Sequence, residues 1–113
     1  MPLNTAAVQI GSAAIAAAIT HVAIHTAQPD ASGSNQSAAA RVAAAATSTA
    51  GVISVGAKAF TGGAANGPAT HVGYWTALTA GTFLGWRALT GDQTFNAAGQ
   101  YNLTGATETG SST

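Results

Sequence analysis

Three histidines are the side chains of this chain best suited to bind a metal ion. His21 and His25 would bind one ion together if they lay one turn apart on a helix. The β-branched residues around them predict a strand instead, in which the two side chains point the same way but lie ~13 Å apart. His71 could come from another strand, but further ligands would still be lacking. The chain also has no cysteine, so we expect no metal site and three packed or surface histidines.

The acidic residues are too few and too scattered to predict catalysis. Acid–base catalysis needs carboxylates held at a defined separation, and the chain has only Asp30, Asp92 and Glu108. All three fall in predicted turns or in the tail, where Asp side chains commonly bond the nearby backbone. The sequence contains no Gly-x-Ser-x-Gly elbow, no Walker motif and no Gly-x-Gly-x-x-Gly pattern. We therefore expect a protein that is not an enzyme and that uses no cofactor.

Aromatic side chains are the strongest candidates for binding. Tyr74 and Trp75 are consecutive in a predicted strand and must face opposite ways. We expect one of them to lie in the core and the other to be exposed or at an interface. Trp86 and Arg87 follow in the next predicted strand, and these four residues are the predicted interface or ligand contacts. A surface aromatic could also stack on a sugar, but we favour an interface.

One helix and a series of short strands would position these side chains. An alanine-rich run predicts a helix over residues 5–18, capped by Asn4 or Thr5. Alternation and turn residues predict strands over residues 20–27, 51–60, 70–77, 81–89, 93–95 and 100–103. The strands at 70–77 and 81–89 form a predicted hairpin. Residues 38–49 are ambiguous, since their alanine content favours a helix and their flanks favour a strand.

A short internal repeat links two of the predicted strands. Thr20-His21-Val22 with Thr26-Ala27 recurs as Thr70-His71-Val72 with Thr76-Ala77. Two copies are too few for a repeat array. We therefore expect two strands in similar environments.

Closely spaced short strands with glycine-rich turns predict a mainly β fold. We expect a small antiparallel β-sandwich, jelly-roll-like, with one N-terminal helix. The 113 residues fit a single domain. That domain divides into the helix at about 5–18, a β-rich body at about 20–107 and a loose C-terminal tail.

Charge is the most unusual feature of the composition. Charged residues make up 5% of the chain and the formal net charge is zero, whereas a typical soluble protein has roughly 25% charged residues. A surface with so few charges favours association. Association would also stabilise a protein whose core is thin and rich in alanine. We therefore expect a homo-oligomer.

The same composition disfavours nucleic acid and membrane partners. The basic residues Arg41, Lys58 and Arg87 are too scattered to neutralise several phosphates. The most apolar stretch, residues 13–19, is much shorter than the ~20 residues of a membrane-spanning helix. No basic segment precedes it to predict a secretion signal, so we expect synthesis in the cytoplasm.

Taken in order, these segments resemble a family of small phage virion proteins, described as tail fibre or minor tail proteins and common in phages of actinobacteria. The resemblance covers Asn4 to about Thr107. It rests on the alanine-rich helix, a Gly/Ser/Asn loop followed by Arg41, and the segments THVAIHTAQP (20–29), THVGYW (70–75), GTFLG (81–85) and QTF (93–95). It implies a β-rich fold, a strand within residues 38–49, a place in the virion and no catalytic residues.

The resemblance and the composition together predict a structural, tail-associated subunit. It would pack against other virion proteins and copies of itself. Two alternatives stay open: a decoration protein on the capsid surface, and a carbohydrate-binding tip that recognises a host surface glycan through its aromatic residues.

Overall fold

The computed structural model describes residues 4–109, which form one helix and a set of short antiparallel strands. Helix α1 spans Thr5–Ala18. The strands are β1 His21–His25, β2 Val42–Ala43, β3 Thr47–Thr49, β4 Val52–Val55, β5 Lys58–Phe60, β6 His71–Trp75, β7 Phe83–Ala88, β8 Tyr101–Leu103 and β9 Ala106–Thr109. The protein is thus mainly β with one N-terminal helix, as the sequence predicts.

Helix α1 begins and ends where the sequence predicts. The Asn4 side chain accepts a hydrogen bond from the Ala7 backbone N–H at 2.9 Å, which caps the first turn. Ser12 and Ala16 are the helix residues that are buried. Ser12 donates its hydroxyl hydrogen to the carbonyl of Gly51 at 3.1 Å and so holds α1 against the β3–β4 turn. Most of the remaining helix surface is exposed.

The strands of the described residues form three antiparallel sheets. The largest, called here the large sheet, has the strand order β2-β1-β6-β7. The second has the order β3-β4-β9, and β5 pairs with β8 in the third. β6 and β7 form the predicted hairpin, in which Leu84 is an extra residue on β7 because Tyr74 pairs with Gly85 and Trp75 pairs with Phe83.

The two copies of the sequence repeat lie side by side at the centre of the large sheet. β1 and β6 pair with Ala23 opposite Gly73. The Thr20 N–H donates to the Trp75 carbonyl, and the equivalent Thr70 N–H donates to the His25 carbonyl. Because these two hydrogen bonds are equivalent, a local two-fold axis that passes between Ala23 and Gly73 relates β1 to β6. The expectation of two strands in similar environments is confirmed.

The core lies on one face of the large sheet, called here the inner face. The side chains of β1 and β6 that point to this face, Val22, Ile24, Val72 and Tyr74, are buried. They belong to one apolar cluster with residues of α1 and of the two smaller sheets, among them Ala16, Ile19, Ile53, Val55, Phe60, Phe95, Tyr101, Leu103 and Ala106. The alternation along residues 20–27 correctly separates this face from the face that carries the histidines.

The single strand predicted over residues 51–60 is wrong. The segment divides into β4 and β5, which belong to different sheets, and the exposed residues Gly56 and Ala57 separate them. The break changes which positions face the core: the odd-numbered Ile53 and Val55 are buried in β4, whereas in β5 Ala59 is exposed and Phe60 is fully buried. Crossing from one sheet to the next lets each half place its larger side chains in the same core.

Residues 38–49 contain the short strands β2 and β3 and no helix, so the strand that the resemblance implies there is present. Residues 93–95, by contrast, form no strand: Thr94 makes a single bridge to Pro68. Strand β9 lies beyond the strands that the sequence predicts and pairs with β4 as far as Thr109. The rest of the predicted loose tail lies outside the described residues.

Candidate functional site

Tyr74 and Trp75 face opposite ways, as predicted, but neither is exposed. Tyr74 is 5% exposed and Trp75 is 7% exposed. Tyr74 lies in the core on the inner face of the large sheet. Trp75 lies on the outer face, where residues 26–41, called here the outer loop, fold back over it. The expectation that one of the two is a surface residue is therefore wrong.

Trp75 is at the centre of a group of packed side chains on the outer face. This group, called here the outer cluster, consists of His25, Arg41, Trp75 and Phe83. The His25 and Trp75 rings stack with centroids 6.2 Å apart and planes at 4°, and Phe83 meets Trp75 at 5.1 Å. The Arg41 guanidinium lies 3.7 Å from the centroid of the Trp75 ring, in cation–π geometry. These contacts pack the outer loop onto the sheet.

Arg41 also joins the outer loop to the β6–β7 turn. Its guanidinium donates to the carbonyls of Ala77 at 2.9 Å and Ala80 at 2.8 Å, and to Gln36 Oε1 at 3.1 Å. The scattered positions of the three basic residues gave no indication of this role. The one sign of it in the sequence is that Arg41 is the only charged residue between Asp30 and Lys58.

His25 is buried, and its hydrogen bond shows which ring nitrogen carries the hydrogen. Its Nδ1 lies 2.8 Å from the carbonyl of Ser34, and because a carbonyl can only accept, Nδ1 carries the hydrogen. Burial lowers the pKa of His25, the Ser34 carbonyl opposes this, and the proximity of His71 and of the Arg41 guanidinium lowers it further. His25 is therefore neutral at pH 7 and helps to hold the outer loop.

The other histidines lie on the same face of the large sheet. The Thr20 hydroxyl lies 2.9 Å from His21 Nδ1, and the equivalent Thr70 hydroxyl lies 2.7 Å from His71 Nδ1. His71 is directly opposite His25 across the β1–β6 pair. Over residues 4–109, no three His, Asp or Glu side chains come together as a metal ion would require.

Trp86 and Arg87 lie at the surface, on β7. Trp86 is 40% exposed, and its ring meets His71 edge to face at 5.1 Å. Arg87 pairs with Glu108 at 3.1 Å. The Tyr74 hydroxyl donates to the same Glu108 oxygen at 2.7 Å, and burial with this carboxylate nearby strongly raises the pKa of Tyr74. The network leaves the only carboxylate of this region neutralised.

Exposed apolar side chains gather next to this network. Of the five large apolar residues that are exposed in the described chain, four lie on α1 and β7. Three of them line one groove and are called here the α1–β7 surface: Ile15 (50% exposed), Leu84 (42%) and Trp86 (40%). Ile10 (72%) lies on the other side of α1 from the buried Ser12 and Ala16. A groove of about 210 Å³ runs between α1 and β7 and is lined by Ile15, Ile19, Tyr74, Leu84, Trp86 and Glu108, among others. Such a patch is typical of a protein-binding surface.

A second hollow, of about 380 Å³, lies on the other side of β7. It is lined by residues of the outer loop, including Asp30, and by β7 residues that include Phe83 and Trp86. Hydrogen bonds from the side chain and backbone of Ser32 lower the pKa of Asp30. The hollow therefore combines aromatic side chains with a fixed carboxylate, a combination that can bind a sugar ring and its hydroxyls.

In the described chain, α1 is too short to cross a bilayer, and so no membrane-spanning helix is found.

Comparisons with known proteins identify the family. No curated protein and no solved structure matches the chain significantly. The model of one family, described as podophage GP4 fiber I protein gp80, matches residues 5–109. The chain therefore belongs to this phage tail fibre family and is a component of the virion.

Proposed function

We propose that the chain is a structural subunit of the tail fibre that works by packing its α1–β7 surface against other proteins of the particle. Membership of a fibre family gives the structural role. The observation that supports the packing role is the concentration of exposed apolar side chains on α1 and β7. An ordinary surface scatters such residues singly.

The charges of the protein fit a neutral partner surface. Helix α1 contains no charged residue. Glu108, the one charged residue lining the α1–β7 groove, is bound by Arg87 and Tyr74. Burying this surface therefore removes little polar area from water and contributes ~25 cal/mol for each Å² of apolar area covered. A partner with a similarly apolar, uncharged face would bind it best.

An apolar-to-lysine change on the α1–β7 surface tests the proposal. Ile15→Lys places a charge at a half-exposed position of the helix, and Leu78→Lys makes the same kind of change at a residue that is 53% exposed in the β6–β7 turn. We expect both variants to fold, but only Ile15→Lys to be lost from purified particles, measured by quantitative mass spectrometry. Full incorporation of folded Ile15→Lys protein would refute the proposal.

The position on the particle separates two structural roles. We expect antibody labelling or cryo-EM of purified particles to find the protein on the tail. Labelling of the head surface would instead support a capsid decoration protein.

A second candidate function is glycan binding in the hollow between the outer loop and β7. It is favoured by the position of Trp86 and Phe83 next to Asp30. On a glycan array, Asp30→Asn and Trp86→Ala would then both abolish binding by the isolated protein. Asp30→Asn is the discriminating variant, because Asp30 lies outside the α1–β7 surface and its loss should leave incorporation into particles unchanged.

A further inference from the structure

Strand β7 is a free edge of the large sheet. It pairs with β6 on one side, and within residues 4–109 no strand pairs with its other side. With six residues it is the longest strand of that range. A free edge presents unpaired N–H and C=O groups, which proteins usually protect with charges, prolines or a covering segment. β7 has no proline, and its one charge, on Arg87, is already bound by Glu108.

The surroundings of β7 leave room for another chain. Residues of β7 line the groove beside α1, the hollow beside the outer loop, and a third hollow of about 320 Å³ that reaches Tyr101 and Ala106. These openings follow the strand along its length. The exposed side chains of Leu84 and Trp86 lie at this edge. An added strand would therefore cover backbone groups and apolar side chains together.

We infer that β7 pairs antiparallel with β7 of a second copy, so that the two large sheets become one continuous sheet. This inference deepens the proposed function, on which it rests, by naming the partner. A strand that pairs antiparallel with itself is self-complementary, because each edge supplies the donors and acceptors that the other needs. The two-fold axis runs perpendicular to the sheet, as does the local axis that relates β1 to β6.

Charge and shape select one register for this pair. The bulge at Leu84 leaves residues 85–88 as the regular part of the edge. A pair centred on Trp86 places Trp86 opposite its own copy and Arg87 opposite Gly85. The two guanidinium groups then avoid each other, each keeps its Glu108, and glycine leaves space for the long side chain. Centring the pair on Arg87 would bring two like charges together.

Single cysteines test the pairing and its register, since the natural chain contains none. Directly opposed residues of an antiparallel pair have Cα atoms about 4.5–5.5 Å apart, within disulfide range. In the Trp86-centred register, two copies of residue 87 lie about 8 Å apart, beyond that range. We expect oxidised Trp86→Cys protein to form at least about tenfold more disulfide-linked dimer than Arg87→Cys or Ile10→Cys protein. Equal yields at the three positions would overturn the inference.

The mass of the native protein in solution completes the test. Light scattering coupled to size-exclusion chromatography should give a dimer for the native chain and a monomer for Leu84→Lys. A native chain that stays monomeric at high concentration refutes self-pairing. If that monomer is still lost from particles when Ile15 is changed to Lys, the proposed function stands and only the named partner is wrong.

Discussion

Gly73 lies at the centre of the large sheet, where the imidazole of His25 covers the backbone. A Cβ atom at this position would overlap His25 Nε2 and approach Phe83 to 3.0 Å. Gly73→Ala should therefore lower the free energy of unfolding by about 1–3 kcal/mol, the usual cost of overpacking. Urea denaturation followed by tryptophan fluorescence measures it.

Gly11→Ala is the matched control for this prediction. Gly11 lies within α1, and a Cβ there would meet nothing within 4 Å. The same substitution should raise stability by up to about 1 kcal/mol, because alanine is the better helix former. Equal effects at the two positions would show that His25 does not pack on Gly73 as described.

His25 should make the protein less stable in mild acid. Its pKa is lowered from the ordinary value of 6.5, mainly by burial. The unfolded chain therefore binds a proton at a higher pH than the folded chain, so stability is full above pH 6.5 and falls as the pH drops from there towards the lowered pKa. Unfolding by urea at a series of pH values measures this slope.

His25→Asn isolates the histidine that is responsible. The amide nitrogen of asparagine occupies the place of His25 Nδ1 and can still donate to the Ser34 carbonyl, but it does not titrate. The variant should therefore lose part of the slope below pH 6.5. A native slope in His25→Asn protein would contradict the prediction.

The candidate residues could be predicted from the sequence, but not all of their surroundings. Consecutive positions on a strand correctly placed Tyr74 and Trp75 on opposite faces. Their exposure depended on contacts distant in sequence, since Arg41 and Gly33 bring the outer loop over Trp75. Trp86 and Arg87 lie at the surface because β7 is an edge strand, and strand order is not encoded in the local alternation.

Arg41 is a second side chain, beside His25, that holds the outer loop in place. Arg41 donates to two carbonyls of the β6–β7 turn and to Gln36 while lying on Trp75. Lysine keeps the charge but cannot reproduce this forked geometry. Arg41→Lys should therefore cost about 1–3 kcal/mol of stability and should speed hydrogen exchange in the outer loop.

Arg87→Lys is the control for the loop prediction. The substitution is the same, but the Arg87–Glu108 pair is about half exposed, and exposed ion pairs contribute about 1 kcal/mol or less. Hydrogen exchange in the outer loop should not change in this variant. If both variants loosened the loop equally, the contacts of Arg41 would not be what holds it.

Local sequence signals predict helices and hairpins well, because there the neighbours in sequence are also neighbours in space. Helix α1 and the β6–β7 hairpin are of this kind. The division of residues 51–60 was missed because β4 pairs with β9 and β5 pairs with β8, both far along the chain. Alternation shows which side chains share a face, but not which sheet a strand joins.

The charged side chains of this molecule are few, and most of them bind other groups of the same chain. Arg87 and Glu108 pair with each other, Arg41 lies on Trp75, and the carboxylates of Asp30 and Asp92 accept hydrogen bonds from residues two positions on. The chain has three basic and three acidic residues in all, and Glu108, bound by Arg87, is the one that lines the α1–β7 groove. We therefore expect the proposed contacts through the α1–β7 surface and the β7 edge to depend on apolar side chains and backbone hydrogen bonds.

Association through these surfaces should consequently be almost independent of salt. Sedimentation velocity of the native chain at about 50 mM and about 500 mM sodium chloride should give the same dimer fraction, because screening acts on exposed charges and little on apolar contacts. An interface held by ion pairs would weaken as the salt concentration rises. A clear loss of dimer at high salt would therefore show that copies meet through charged groups elsewhere on the molecule, and not through β7 and its apolar neighbours.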